Sequence, residues 1–348
     1  MKRVIVFLAL ASLIVSACAS GTAQPGATVT TATPKAVRIG MVTDLGALED
    51  KSFNENSWKG VQEGTKAIAG TAQVIVTKDV ADYKQNIQQF VDQKYDVIVT
   101  VGFLIGSETL KAALANPGIQ FIGVDQFICV AADAADKACK GALPKNYQGL
   151  LYREAQAGYL AGIVAATITK SNKIGAIGGR SDVPPVVDFI KGYEKGAKAE
   201  KPAIQVSVTY TEDFNAPDKG ESTARTMIGQ GVDVIFQVAG GTGAAALRAA
   251  CNAKIWGIGV DVDQYNSLPD AKACIVTSAE KKLFDSIVAG IKRWKAEGPQ
   301  SGNLFHDAKN GGIGYSPIRN LSPVPAGLEA KLAAALEDMK SGKIDPYK

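Results

Sequence analysis

The sequence predicts an α/β protein of two doubly wound lobes joined by three hinge crossovers. Three observations carry that expectation. The 348 residues, 46% of them hydrophobic, are enough for two cores of ordinary domain size. Short β-branched runs alternate with helical stretches from Lys35 onward. The stretch Asp96–Asp125, "DVIVTVG…FIGVD", is matched by Asp233–Asp261, "DVIFQVAG…GIGVD", and the two spans differ by one residue in length.

In chain order, "AVRIGMVTD" (36–44) reads as the first strand. A helix follows over "SFNENSWKGVQEGTKAIAG" (52–70), with Ser52 and Glu55 in capping-box spacing and Trp58, Val61, Thr65 and Ile68 on one face. "AQVIVTK", "YDVIVTVG" and "IQFIGVD" are further strands, separated by helices at "YKQNIQQFVDQK" and "SETLKAALANP". The second half repeats the scheme with strands "KIGAIGG", "IQVSVTYTE", "VDVIFQVAG" and "KIWGIGVD". Helices are expected between them at 183–200, 218–230 and 241–253. Strands this apolar suit parallel sheets covered on both faces. Both lobes end a strand in "GVD", at the carboxyl edge where such sheets bind ligands.

The remainder, a strand "CIVTSAE", a helix "KKLFDSIVAGIKRWKA", short Gly-rich strands and a last amphipathic helix "AGLEAKLAAALEDMKSG", is too little for a third domain. The chain therefore should return to the first lobe and then to the second, crossing near 146–153, 263–278 and 300–315. The expected division is 36–148 with 279–302 for the N-terminal lobe, and 149–278 with 303–348 for the C-terminal lobe. A cleft between hinged lobes follows.

Ahead of the globular part, "MKRVIVFLALASLIVSAC" has a basic start, an apolar run and small residues before Cys18. Residues 1–17 read as an export signal, and "VSAC" resembles the bacterial lipobox, in which the cysteine is lipidated and becomes the mature N-terminus. The Ser/Thr/Pro/Gly-rich stretch 18–35 then reads as a flexible tether. This places the protein on the extracytoplasmic face of the cell membrane. The formal charge is +4, and removing residues 1–17 takes away Lys2 and Arg3 but no acid, leaving +2, which gives no reason to expect a nucleic-acid partner. Cys129, Cys139, Cys251 and Cys274 remain after Cys18. In an exported chain they can pair in three ways, among them Cys129 with Cys139 and Cys251 with Cys274. With His306 as the single histidine and no CxxC spacing, neither a zinc site nor a histidine relay is expected. No cofactor is expected either. Gly241, Gly243 and Ala246, with Asp261 twenty residues on, satisfy a dinucleotide fingerprint on paper, but in the third strand–helix unit of a lobe rather than the first.

"DKSFN" (50–54) after a strand ending in "TD" resembles the basic membrane protein lipoproteins, the substrate-binding components of ABC importers. "FIGVD", "YLAG", "VPPVVDFIKGYEKGAKA", "VAGGTG", "GIGVDVDQ" and "TSAEKK" follow in the same order, so the resemblance covers residues 36 to about 320. It implies a type I periplasmic binding protein fold, a purine nucleoside as ligand, a membrane permease as partner, a monomer, and no catalysis. Carried over position by position, it has Asp44 hold the base, Phe53 and Asn54 stack on and read it, and Phe214 supply a second aromatic. Asp261 and Lys281 would take the ribose, Asp125 would contribute from the other lobe, and Gly240 would let the backbone come close. Phe189 and Tyr193, four apart on a helix, read as core. The chain departs from the pattern in "GALEDKSFN", with Ala47 and Glu49 where many relatives have a glycine and an aspartate, and in an apparent insertion around Cys129–Lys145. On the same fold, a binder of sugars or other small molecules and a surface antigen or regulator are the alternative readings.

Overall fold

A computed structural model describes residues 36–129 and 143–348. The chain first lays down β1 (Arg38–Thr43), α1 (Phe53–Ala67), β2 (Thr71–Ile75), α2 (Tyr83–Asp92), β3 (Val97–Val101), α3 (Gly106–Ala115), β4 (Gln120–Val124) and β5 (Tyr147–Tyr152). It continues through α4 (Glu154–Ile168), β6 (Lys173–Gly178), α5 (Pro184–Glu200), β7 (Gln205–Tyr210), α6 (Pro217–Gly229), β8 (Val234–Val238), α7 (Gly240–Asn252), β9 (Trp256–Asp261), α8 (Gln264–Ser267) and β10 (Ile275–Lys281). It ends with α9 (Leu283–Glu297), β11 (Gly302–His306), β12 (Ile313–Tyr315) and α10 (Leu328–Ser341).

The strands form two six-stranded sheets, ordered β11-β5-β4-β3-β1-β2 and β12-β10-β9-β8-β6-β7. The two orders are the same when each strand is matched to its counterpart in the other lobe. Among the described residues all strand pairings are parallel except that of β10 with β12. Strands β3, β4 and β8 are buried along their whole length, which is why they read as unbroken apolar runs. In each sheet the order reverses beside the first strand, between β1 and β3 and between β6 and β8. Such a switch point leaves a crevice at the strand carboxyl ends.

Two lobes on one chain require crossings, and these occur after β5, after β10 and between β11 and β12. The expected boundaries at 148, 278 and 302 each fall inside or at the start of a strand (β5, β10 and β11). Strand β10 stays in the second sheet as far as Lys281, paired with both β9 and β12, so the second crossing lies beyond 263–278. Lys281 accordingly ends a strand instead of opening a helix.

Helix α4 is buried nearly all round and packs on α5 through glycines. A Cβ added to Gly158 or Gly162 would lie 2.0 Å from the Phe189 carbonyl oxygen or 2.1 Å from that of Tyr193. Reciprocally, a Cβ on Gly192 or Gly196 would lie 2.1 Å from the carbonyl oxygen of Ala155 or 2.0 Å from that of Tyr159. Backbone thus lies directly on backbone. Cys251, near the end of α7, is disulfide-bonded to Cys274, just before β10. Cys18 and Cys139 lie outside the described residues, as do the signal and tether.

Candidate functional site

The first turn of α1 is organised by Asp50. Its Oδ1 accepts from the backbone N–H groups of Ser52 (2.9 Å) and Glu55 (3.2 Å), and its Oδ2 from that of Asn54 (2.9 Å). The capping box expected of Ser52 and Glu55 does not form: Ser52 makes no side-chain cap. The buried carboxylate of Asp50 takes the free helix donors, and the Ser52 hydroxyl turns to the other lobe. Phe53 and Asn54 are thereby presented to a cleft between the two sheets.

That cleft encloses about 640 Å³ of non-atom space when space open to solvent is included. Asp44, Phe53, Asn54, Asp125, Phe214, Gly240, Asp261 and Lys281 all line it. Asp44 and Gly102 follow β1 and β3, at one switch point, and Gly240 follows β8 at the other. Gly102 has a φ of +111°, and a Cβ there would lie 2.3 Å from that of Asp44, so only glycine lets the two strand ends meet. Gly240, at a φ of +55°, opens α7 beneath the Phe214 carbonyl.

Asp44 is held by its own lobe. Its Oδ1 accepts from Leu45 N–H (2.7 Å) and from the Tyr83 hydroxyl, and its Oδ2 from Leu104 N–H (2.8 Å). Burial raises its carboxyl above the ordinary value, against the lowering by those donors. Asn54 is 2% exposed, and its Nδ2 donates to the Ala47 carbonyl at 3.1 Å. That bond fixes the amide with Oδ1 left over, buried and without a partner.

At the other end of the cleft Lys281 is surrounded by carboxylates. Its Nζ lies 2.6 Å from Asp125, 3.4 Å from Glu154 and 3.8 Å from Asp261, and 4.8 Å from the centre of the Phe53 ring. Burial opposes its charge, but the three acids outweigh burial and hold the ammonium above its ordinary value. One cation cannot keep three buried acids ionised, and Glu154 is pushed up to about 8, by burial first and by Asp125 as well, against Lys281. Burial likewise raises Asp125 and Asp261, and takes Asp50 up to about 7. Asp125 Oδ1 is buried without a partner. Asp125 and Asp261 both sit at positive φ, +59° and +64°, so the duplicated "GVD" ends turn their carboxylates in the same way.

Phe189 and Tyr193 both belong to the buried core, as expected, and Phe189 lines the cleft as well. Two residues of the site escaped the sequence reading. Asp50 and Glu154 had not been singled out as contacts. Asp50 had a local signal, an acid just ahead of a helix, whereas Glu154 meets Lys281 across 127 residues and had none. The single histidine, His306, stacks on Tyr152 at 5.1 Å and is not among the lining residues. Gly243 of the fingerprint packs on Gln237, with an added Cβ 1.7 Å from its Oε1.

The cleft therefore offers aromatic faces, one shielded cation and a set of acceptors, and suits a flat molecule rich in N–H and O–H donors. A family model described as ABC transporter substrate-binding protein, PnrA-like, matches residues 37–342. The ABC transporter nucleoside-binding protein BmpA of Lactococcus lactis subsp. cremoris is 32% identical, over 99% of this chain and 98% of that one. Basic membrane protein A of Borreliella burgdorferi is 27% identical, over 95% of this chain and 91% of its own. An ABC transporter solute-binding protein of Aeropyrum pernix superposes with a TM-score of 0.75 at 24% identity, over 89% of this chain and 92% of that one, which speaks for the fold.

Proposed function

Because this chain belongs to the PnrA-like family of ABC transporter substrate-binding proteins, we propose that it binds a purine nucleoside between its lobes and delivers it to a membrane permease. The family is one of solute binders, and no step of catalysis is assigned here. The base stacks on Phe53 and Phe214 and is read by Asn54 with Asp44. The ribose hydroxyls donate to Asp125 and Asp261, which Lys281 faces. Closure of the lobes around the ligand then presents the surface a permease recognises. Lipidation at Cys18 holds the protein at the extracytoplasmic face of the membrane.

The observation that carries the nucleoside reading is the pair of buried acceptors without partners, Asn54 Oδ1 and Asp125 Oδ1, in one aromatic-lined cleft. A buried acceptor left unpaired costs about 1–3 kcal/mol, and ligand N–H and O–H groups would recover it. The name of the Lactococcus relative supports the same ligand class.

A thermal-shift and calorimetry series with guanosine, inosine, adenosine, cytidine, ribose and NAD tests this. A ligand at about 100 times its dissociation constant adds about 2.7 kcal/mol of stability. Purine nucleosides are expected to shift the melting temperature while ribose and NAD do not. No shift with any nucleoside would overturn the reading. In cells, Cys18→Ser should move the protein from the membrane to the soluble extracytoplasmic fraction, and a variant that stays membrane-bound would remove the anchor assignment.

A further inference from the structure

The turn Asp50–Lys51–Ser52 belongs to the first lobe, yet its polar atoms are tied to the second. The Ser52 hydroxyl, 1% exposed, donates to Asp261 Oδ2 at 2.8 Å, with the Val260 carbonyl oxygen at 3.2 Å as a weaker alternative acceptor for its single proton. The Lys51 carbonyl accepts from Gln264 Nε2 at 3.2 Å and from Ser267 Oγ at 2.7 Å. Gln264 cannot swing away cheaply, because its Oε1 already takes Gln237 Nε2 at 2.6 Å and Val260 N–H at 3.1 Å. Lys51 adopts a φ of +61°, which turns its carbonyl toward these donors.

The bond on Asp261 also decides what that residue offers. With Oδ2 taken by Ser52, the other oxygen has Lys281 at 3.8 Å as its nearest cation and remains open to a donor from the cleft. On the near side, Asp50 holds the N–H of Asn54 and so sets the first turn of α1. One three-residue turn thus orients contacts in both lobes.

We propose that Ser52 is a positioning residue for ligand binding: it sets the sugar-facing carboxylate of Asp261 from across the cleft, and with the Lys51 carbonyl it latches the lobes together. The Asp261 geometry exists only when the lobes are shut, so sugar recognition and closure are one event. The latch stands on the hydrogen bonds alone, and only the sugar part rests on the nucleoside reading.

The test compares the full chain with Ser52→Ala and Ser267→Ala, using guanosine and 2′,3′-dideoxyguanosine as probes, with stopped-flow binding and small-angle scattering as readouts. Ser52→Ala is expected to cut the preference for guanosine over the dideoxy analogue about five- to tenfold, the size of one ordinary hydrogen bond, through faster dissociation. Ser267→Ala removes a latch bond but leaves Asp261 untouched, so it should weaken both probes alike and keep their ratio. Both variants should have a larger radius of gyration than the parent when unliganded. An unchanged preference in Ser52→Ala defeats the positioning role, and an unchanged radius in both variants defeats the latch. If the parent binds neither probe, guanosine is not its ligand and the sugar role proposed for it falls, and scattering alone decides the latch. Ser267→Ala touches no buried carboxylate, so the latch remains testable should Ser52→Ala fail to fold.

Discussion

Lys281 is the only cation lining the cleft among the described residues, and its three acidic neighbours make the site sensitive to pH. Glu154, pushed from 4.5 up to about 8, keeps in the folded state a proton that the unfolded chain has already released. Its contribution to stability is therefore complete below about pH 4.5 and is lost as pH rises through about 8. Glu154→Gln should flatten the decline in melting temperature between about pH 5 and pH 8. A slope identical to that of the parent would shift the cause to Asp50 and the remaining acids. At this scale the sequence was informative where a motif carried the residue: Asp44, Phe53, Asn54, Asp125, Asp261 and Lys281 all stand at strand ends or in "DKSFN", and all line the cleft. It was silent on Glu154, whose only link to the site is a contact in space. Phe189 belongs to the core that its helical spacing predicts, and it lines the cleft as well. Asp50 takes the cap expected of Ser52, since two oxygens in one turn compete for the same N–H groups and the carboxylate is the stronger acceptor.

Among the elements, α4 and α5 show what glycine does between packed helices. Four glycines, two on each helix at a spacing of four, look like poor helix formers. In the structure they remove the side chains that would keep two backbones apart. Gly162→Ala puts a methyl group 2.1 Å from the Tyr193 carbonyl oxygen, so the helices must separate. The expected cost is about 1–3 kcal/mol, visible as a lower urea midpoint with an unchanged slope. A midpoint equal to the parent's would mean that the contact relaxes freely. The order of strands and helices was legible because alternating apolar runs and turn residues are local signals. Lobe boundaries were not, since β5, β10 and β11 join their sheets through partners far away in the chain.

For the whole molecule the duplication was readable, and the two sheets do repeat one strand order. The three crossings have a further effect. The first sheet takes its edge strand, β11, from residues 302–306, and α9 lies over α1 from 283–297. A chain ending at residue 282 should therefore lack a protected first-lobe core in hydrogen exchange, and full protection of β1, β3 and β4 in that fragment would contradict this. The second lobe in turn waits for β12 and for α10, which packs on α4. Domains usually fold in the order in which they leave the ribosome, the N-terminal one first. Here the first lobe can be finished only after β6 to β10 of the second have been made, so the nascent chain carries an incomplete first lobe throughout that stretch of synthesis.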